Sequence, residues 1–269
     1  MSAIQACSPV TCAKLRAEQA DLARLDGDAA MAEAAYQEPG KREAPPGYRE
    51  VTDPAELAKL GLTPEHLHQP GSNFGAAVFK HQDGSHVVAF KGSQVVGEDW
   101  ANNARQSLGM EAPYYTQAQL IASDMHDRGV KVRYVGHSLG GGLAAAAAST
   151  GGADASLFNP AALHEDTVEK PIDGGRIDRV VVRGEALDAV QEATPLPDAK
   201  ATHEWPLDPP PNVGMLALKL LAPFSGVAAV TLAAATAVRS LLLHRMGSVR
   251  DALARRRNGV DQAIAANGC

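Results

Sequence analysis

The five residues Gly136-His137-Ser138-Leu139-Gly140 constrain this chain more than any others. They spell G-x-S-x-G between the apolar run Lys131–Gly136 and a stretch of almost pure Gly and Ala, Leu139–Ser149. A serine between a strand and a helix must sit on a tight, strained turn. Small residues on both sides let the backbones approach, and the helix N-terminus aims free N–H groups and partial positive charge at the serine. The context predicts an activated serine at the C-terminal edge of a parallel sheet. His137 is expected to pack beside the turn without taking part in chemistry.

Periodicity around the motif agrees. Ala76–Lys80 and His86–Lys91 flank Gln82-Asp83-Gly84-Ser85 and read as a hairpin. Residues 113–128 read as a helix opened by Pro113 and closed by Gly129. Ala155–Phe158 and Arg179–Val182 read as further buried strands. This alternation predicts a parallel or mostly parallel sheet covered by helices. Asp53-Pro54-Ala55-Glu56 reads as a helix start, and that helix ends at Gly61. Residues 13–36, with Leu15, Leu22, Leu25 and Met31, read as one or two weak helices, and 37–48 as a loop. Six prolines in 194–212 predict a loop or lid. Leu220–Val238 carries no charge over the length of a membrane span, but Pro223 and Gly226 interrupt it. It reads as an interfacial cover over the site, with a core helix and a true span as the alternatives. Ser248-Val249-Arg250-Asp251 reads as a capping box opening a helix to about Arg257.

Composition narrows the class. With 25 Lys+Arg against 31 Asp+Glu, the net charge of −6 speaks against nucleic acid as a partner. The 269 residues suffice for a core without metal or disulfide staples. Cys7, Cys12 and Cys269 have no zinc spacing, so no metal is expected. Cys7 and Cys12 read as thiols of a loose N-terminal segment, with a disulfide between them as the alternative. The N-terminal residues lack a basic region followed by a long apolar one, so synthesis in the cytosol without a signal peptide is expected.

A nucleophilic serine needs a base, and the base an orienting acid. In a fold built around such an elbow the chain order is serine, acid, histidine. Three histidines follow: His164, His203 and His244. His244 stands on a loop just ahead of the capped helix, late in the chain, and is the expected base. His203 is the second choice. Glu185 and Asp188 compete as the acid, and Glu185, at the very end of the 179–182 strand, is favoured. The Leu139 N–H and Ser93, after the second hairpin strand, are the expected oxyanion donors.

Phe90-Lys91-Gly92-Ser93, Asp99-Trp100 and Gly136-His137-Ser138-Leu139-Gly140-Gly141 together resemble the class 3 lipase pattern. Trp100, Asn103, Gln106, Gly109, Tyr115 and Phe158-Asn159-Pro160-Ala161 are similar to a bacterial branch that includes phospholipase effectors of type VI and related secretion systems. Val182–Leu187 and Leu243–Met246 match its acid and histidine segments. The resemblance implies an α/β-hydrolase fold, with Ser138, Glu185 and His244 as triad and Ser93 with Leu139 as oxyanion hole. That family's acid is usually aspartate, which keeps Asp188 open. The expected layout is a helical extension (1–47), a hydrolase domain (48–257) with a lid or apolar insertion at about 194–240, and a tail (258–269). The expected activity is a serine esterase of phospholipid acyl esters without a cofactor. Its expected partners are a membrane surface and an immunity protein or secretion adaptor. A small-molecule esterase or thioesterase and an idle membrane-binding module are the rival readings.

Overall fold

The computed structural model describes residues 9–69, 71–93, 112–187, 201–214, 216–217 and 230–269. Among them the strands form one seven-stranded sheet in strictly sequential order. The chain begins with α1 (Pro9–Ala34), followed by β1 (Tyr48–Glu50), α2 (Pro54–Lys59) and α3 (Pro64–Leu67). The hairpin β2 (Ala76–His81) and β3 (His86–Phe90) comes next, then α4 (Ala112–Asp127), β4 (Val132–His137) and α5 (Leu139–Gly151). The strands β5 (Asp154–Phe158), β6 (Ile177–Val182) and β7 (His203–Leu207) precede α6 (Val230–His244) and α7 (Met246–Ala266).

The pairs β1–β2 and β2–β3 are antiparallel, and every pair from β3 to β7 is parallel. The α/β class with a mostly parallel sheet is therefore as expected. Local chemistry explains the elements read from sequence. Gly84 takes φ 88° in the hairpin turn, and Asp83 accepts the Ser85 N–H at 2.8 Å. Asp53 caps α2 by accepting the Ala55 N–H at 3.0 Å, with Pro54 in the first turn.

Sequential order has a consequence. Crossovers between parallel strands are right-handed, so a sheet built in one direction receives its crossover helices on one side. Helices α4 and α5 pack on one face, against Val88, Phe90, Tyr134 and Leu157. The other face, with Ala89, Val135, Phe158 and Val180, is covered by α1 and α7. Strand alternation sends Val88 to one side and Val87 and Ala89 to the other.

The 26-residue α1 is one continuous helix that buries Leu22, Leu25 and Met31 against the sheet. It also buries charge. Asp28, fully buried, accepts Arg133 Nε and Nη2 at 3.1 and 2.6 Å and Ser156 Oγ at 2.7 Å. Arg24 bonds Ser156 Oγ and the buried Asp178, and Asp178 also takes the Trp205 indole N–H at 2.7 Å. Buried carboxylates persist only when paired and fully hydrogen-bonded in this way.

Four sequence expectations need correction. The Pro-rich 194–212 segment is not all loop, because His203–Leu207 forms the edge strand β7. Its Pro206 is tolerated because an edge strand has one side without a neighbour. Helix α7 starts at Met246, before the supposed capping box, and runs 21 residues to Ala266. Ser248 instead donates its hydroxyl to the Leu242 carbonyl at 2.8 Å. Burial of Leu243, Met246, Val249 and Leu253 in one cluster sets the start, overriding the cap signal. His244 lies on no loop: it is the last residue of α6, one residue before α7. Finally, Cys12 is not a thiol but is bridged to Cys269, with Cα atoms 5.3 Å apart. The two helices run antiparallel, so Arg250–Glu33, Arg257–Asp26 and Arg256–Glu18 also pair between them. Cys7 lies outside the described residues.

The bridge closes a loop across a separation of 257 residues. Cys12→Ser is expected to lower stability by about 3–5 kcal/mol. Denaturant unfolding under oxidising conditions measures this, and the difference from wild type should vanish in reductant.

Candidate active site

Two non-glycine residues among those described take positive φ: Ser138 at 59° and Asn159 at 40°. They directly follow adjacent strands, β4 and β5, and they mark the site. At Ser138 the cause is close approach. A Cβ on Gly136 would lie 2.0 Å from the Gly140 carbonyl oxygen, and one on Gly140 would lie 2.2 Å from that of Phe90. Only glycine fits at both, so β4 can turn straight into α5 with Ser138 at the crest. The turn is held by the Ser138 N–H donating to Phe158 and by the Ser138 carbonyl receiving the Gly141 and Ala161 N–H groups. The strand–turn–helix is that of the α/β-hydrolase elbow.

The structure brings three expected residues together. Ser138 Oγ lies 2.9 Å from His244 Nε2. His244 Nδ1 lies 2.5 Å from Glu185 Oε2. With Nδ1–H donating to the carboxylate, Nε2 keeps its lone pair for the serine hydroxyl. Glu185 is almost fully buried (1% exposed) and also accepts the Leu187 N–H at 3.0 Å. Gly184, at φ 76°, makes the turn that places it. Asp188 lies outside the described residues, as do Asp99, Trp100, Asn103, Gln106 and Gly109. His203 begins β7 beside Asp178, at the end of the sheet opposite Ser138. His164 is exposed and caps a short turn over Glu165–Thr167. His164 Nδ1 accepts the Asp166 N–H at 3.3 Å within that turn.

Of the expected oxyanion donors, Leu139 is the first residue of α5, where an N–H has no acceptor within the helix. Ser93 follows Gly92, which is packed against the elbow: a Cβ there would lie 2.5 Å from the His137 carbonyl oxygen.

Sequence reasoning gave no role to Asn159. Its Oδ1 accepts the Val182 N–H at 2.9 Å, just ahead of Glu185, and its Nδ2 donates to the Leu243 and His244 carbonyls at 3.1 and 3.2 Å. It ties the acid's strand to the histidine's helix end. An Asn directly after a buried strand, where αL is tolerated, was the available signal. His137 packs beside the turn as expected, buried, with Nε2 2.6 Å from the His244 carbonyl oxygen. Burial first, and the neighbouring His244 second, push its pKa down to about 3.

Residues 27–237 match the model of the Tle-like phospholipase domain. The chain belongs to that family. An extracellular phospholipase A1 from Serratia liquefaciens is 35% identical over 165 residues, covering 57% of this chain and 51% of that protein. The chain thus spans about half the length of that relative. Among solved structures, a triacylglycerol lipase from Penicillium expansum aligns over 71% of this chain and 79% of its own, at 15% identity and TM-score 0.39. An esterase from Pyrobaculum calidifontis aligns over 95% and 98%, at 12% and 0.30. Among the described residues no helix is long and apolar enough to cross a membrane.

His137 generates a pH prediction. Its folded pKa of about 3 lies below the ~6.5 of an unfolded histidine, so on acidification the unfolded chain takes up the proton first. Stability is complete above about pH 6.5 and is lost as pH falls towards 3, by about 1.4 kcal/mol per pH unit from this group. His137→Gln should flatten that slope in denaturant titrations between about pH 7 and pH 4.

Proposed function

We propose that the chain is a serine esterase of lipid substrates, a phospholipase of the A type, which hydrolyses a fatty-acyl ester through an acyl-enzyme. The observation that carries this reading is the hydrogen-bonded line from Ser138 Oγ through His244 to Glu185. Family membership and the phospholipase A1 relative favour a phospholipid substrate.

In this reading Ser138 Oγ attacks the ester carbonyl and its proton passes to His244 Nε2. Glu185 steadies the imidazolium and keeps the ring's tautomer. The Leu139 N–H and Ser93 receive the oxyanion. His244 then protonates the leaving alkoxide, so the lysophospholipid departs and the acyl group stays on Ser138. Water, deprotonated by His244, attacks the acyl carbonyl and releases the fatty acid. The scheme needs no metal or organic cofactor.

The apolar segment Leu220–Val238 acts as an interfacial cover over the site. Its support is continuity: the described part runs as α6 straight into His244. Action at a target membrane after secretion, with an immunity protein or secretion adaptor as partner, belongs to the same reading. Its support is the resemblance to secreted phospholipase effectors and the extracellular relative.

The test is mass spectrometry of the products formed from mixed phospholipid vesicles. Matching lysophospholipid and free fatty acid are expected, and intact lipid, or hydrolysis confined to soluble short-chain esters, would refute the phospholipase. Glu185→Gln should lose about 10²–10⁴-fold in kcat, since an amide can neither steady the imidazolium nor hold its tautomer. Asp188→Asn should be mild, and the reverse order would transfer the acid role to Asp188. Leu221→Asp with Phe224→Asp should weaken vesicle hydrolysis strongly and spare a soluble ester.

A further inference from the structure

The line from Ser138 to Glu185 engages both ring nitrogens of His244 and says nothing of what holds its backbone. That backbone needs holding. His244 ends α6 and Arg245 alone separates it from α7, so its carbonyl stands where helical bonding stops. Two donors meet that carbonyl, Asn159 Nδ2 at 3.2 Å and His137 Nε2 at 2.6 Å. A neutral His137 that donates from Nε2 has its lone pair on Nδ1. Tyr36 Oη lies 2.8 Å from Nδ1 and donates to it.

The Tyr36 oxygen also lies 3.4 Å from the His137 carbonyl oxygen, and it accepts the backbone N–H of Gly92. A Cβ on Gly92 would lie 2.2 Å from it. Ser93 is the next residue. One hydroxyl, two residues beyond the end of α1, therefore joins the segment leading to Ser93 to the ring that holds the His244 carbonyl. Desolvation raises the Tyr36 pKa well above that of free tyrosine, so the hydroxyl keeps its proton for the donation.

We propose that Tyr36 and His137 are positioning residues of the reaction: through the His244 carbonyl they set the reach of His244 to Ser138, and through Gly92 they hold Ser93 against the elbow. This rests on the serine-esterase reading above. A loss of alignment on the order of 1 Å between reacting groups costs up to about 100-fold in rate. Tyr36, two residues beyond α1, thus reaches the reaction through His137 and Gly92.

The test uses the full chain, a fluorophosphonate probe and a soluble short-chain p-nitrophenyl ester. Wild type should label at Ser138, and absence of labelling would overturn the esterase reading together with this one. With wild type labelled, Tyr36→Phe should slow both labelling and kcat by about 10–100-fold. KM should stay within about twofold, and Tm should change little. His137→Gln, which still offers an N–H to the His244 carbonyl, should keep more activity than His137→Leu. Tyr36→Phe added to His137→Leu should cost less than it does in wild type, because only the Gly92 contact is then left to lose. A Tyr36→Phe enzyme with wild-type labelling and kcat, or one impaired only in KM, overturns the proposal while leaving the esterase intact. If Tyr36→Phe fails to fold, the His137 pair decides, and equal rates for Gln and Leu overturn it.

Discussion

The close passage of α5 over the ends of β3 and β4 is the constraint on which the molecule depends. Gly140 lies against the Phe90 carbonyl and Gly136 against Gly140, so the backbone must reverse within one residue. That residue is Ser138, at φ 59°. Backbone in this region costs of the order of 1–3 kcal/mol for a non-glycine residue. A hydrogen bond to the Phe158 carbonyl of β5 and one from the Ala161 N–H keep it there. The strain raises the serine hydroxyl above the sheet edge and leaves the first N–H groups of α5 facing the same space. Glu185 and His244 are arranged around a point that the glycines have already determined.

A second constraint is the handedness of the crossovers. Strictly sequential order puts α4 and α5 on one face and leaves the opposite face to the two ends of the described chain. Helices α1 and α7 cover it, and the Cys12–Cys269 bridge holds their far ends together. Their near ends meet the site: α1 leads to Tyr36, and α7 begins two residues after His244. The buried Asp28, with Arg24 and Arg133, fixes α1 over β4 and β5. Residues of the helical extension and of the tail read from sequence thus share the layer that backs the sheet.

What the sequence revealed was local. The hairpin, β4 to β6 and α5 each carry their periodicity within a dozen residues, and the serine carries its own motif. Glu185 was legible because Gly184 ends a buried strand just ahead of it, and His244 because of its place in the chain order. The rest depends on contacts between distant residues. Pairing of Cys12 with Cys269, 257 residues apart, needs α1 and α7 to lie side by side and antiparallel. The strand β7 hides among prolines because an edge tolerates them. The length of α7 comes from the apolar cluster it joins. Asn159 bonds the Val182 amide and the Leu243 and His244 carbonyls, and Tyr36 bonds His137 and Gly92; the position of Asn159 after a strand was visible in the sequence, but the distant groups that either residue reaches were not.

The central claim is that Ser138 takes the acyl group from a phospholipid. Trapping that intermediate tests it most directly. Wild-type protein turning over on phospholipid vesicles is quenched in acid, digested, and its peptides weighed. The account predicts a fatty-acyl adduct on the peptide that carries Ser138, transient in time and of the mass of the fatty acid released. An adduct on another residue, or hydrolysis at an undiminished rate by Ser138→Ala, would contradict it.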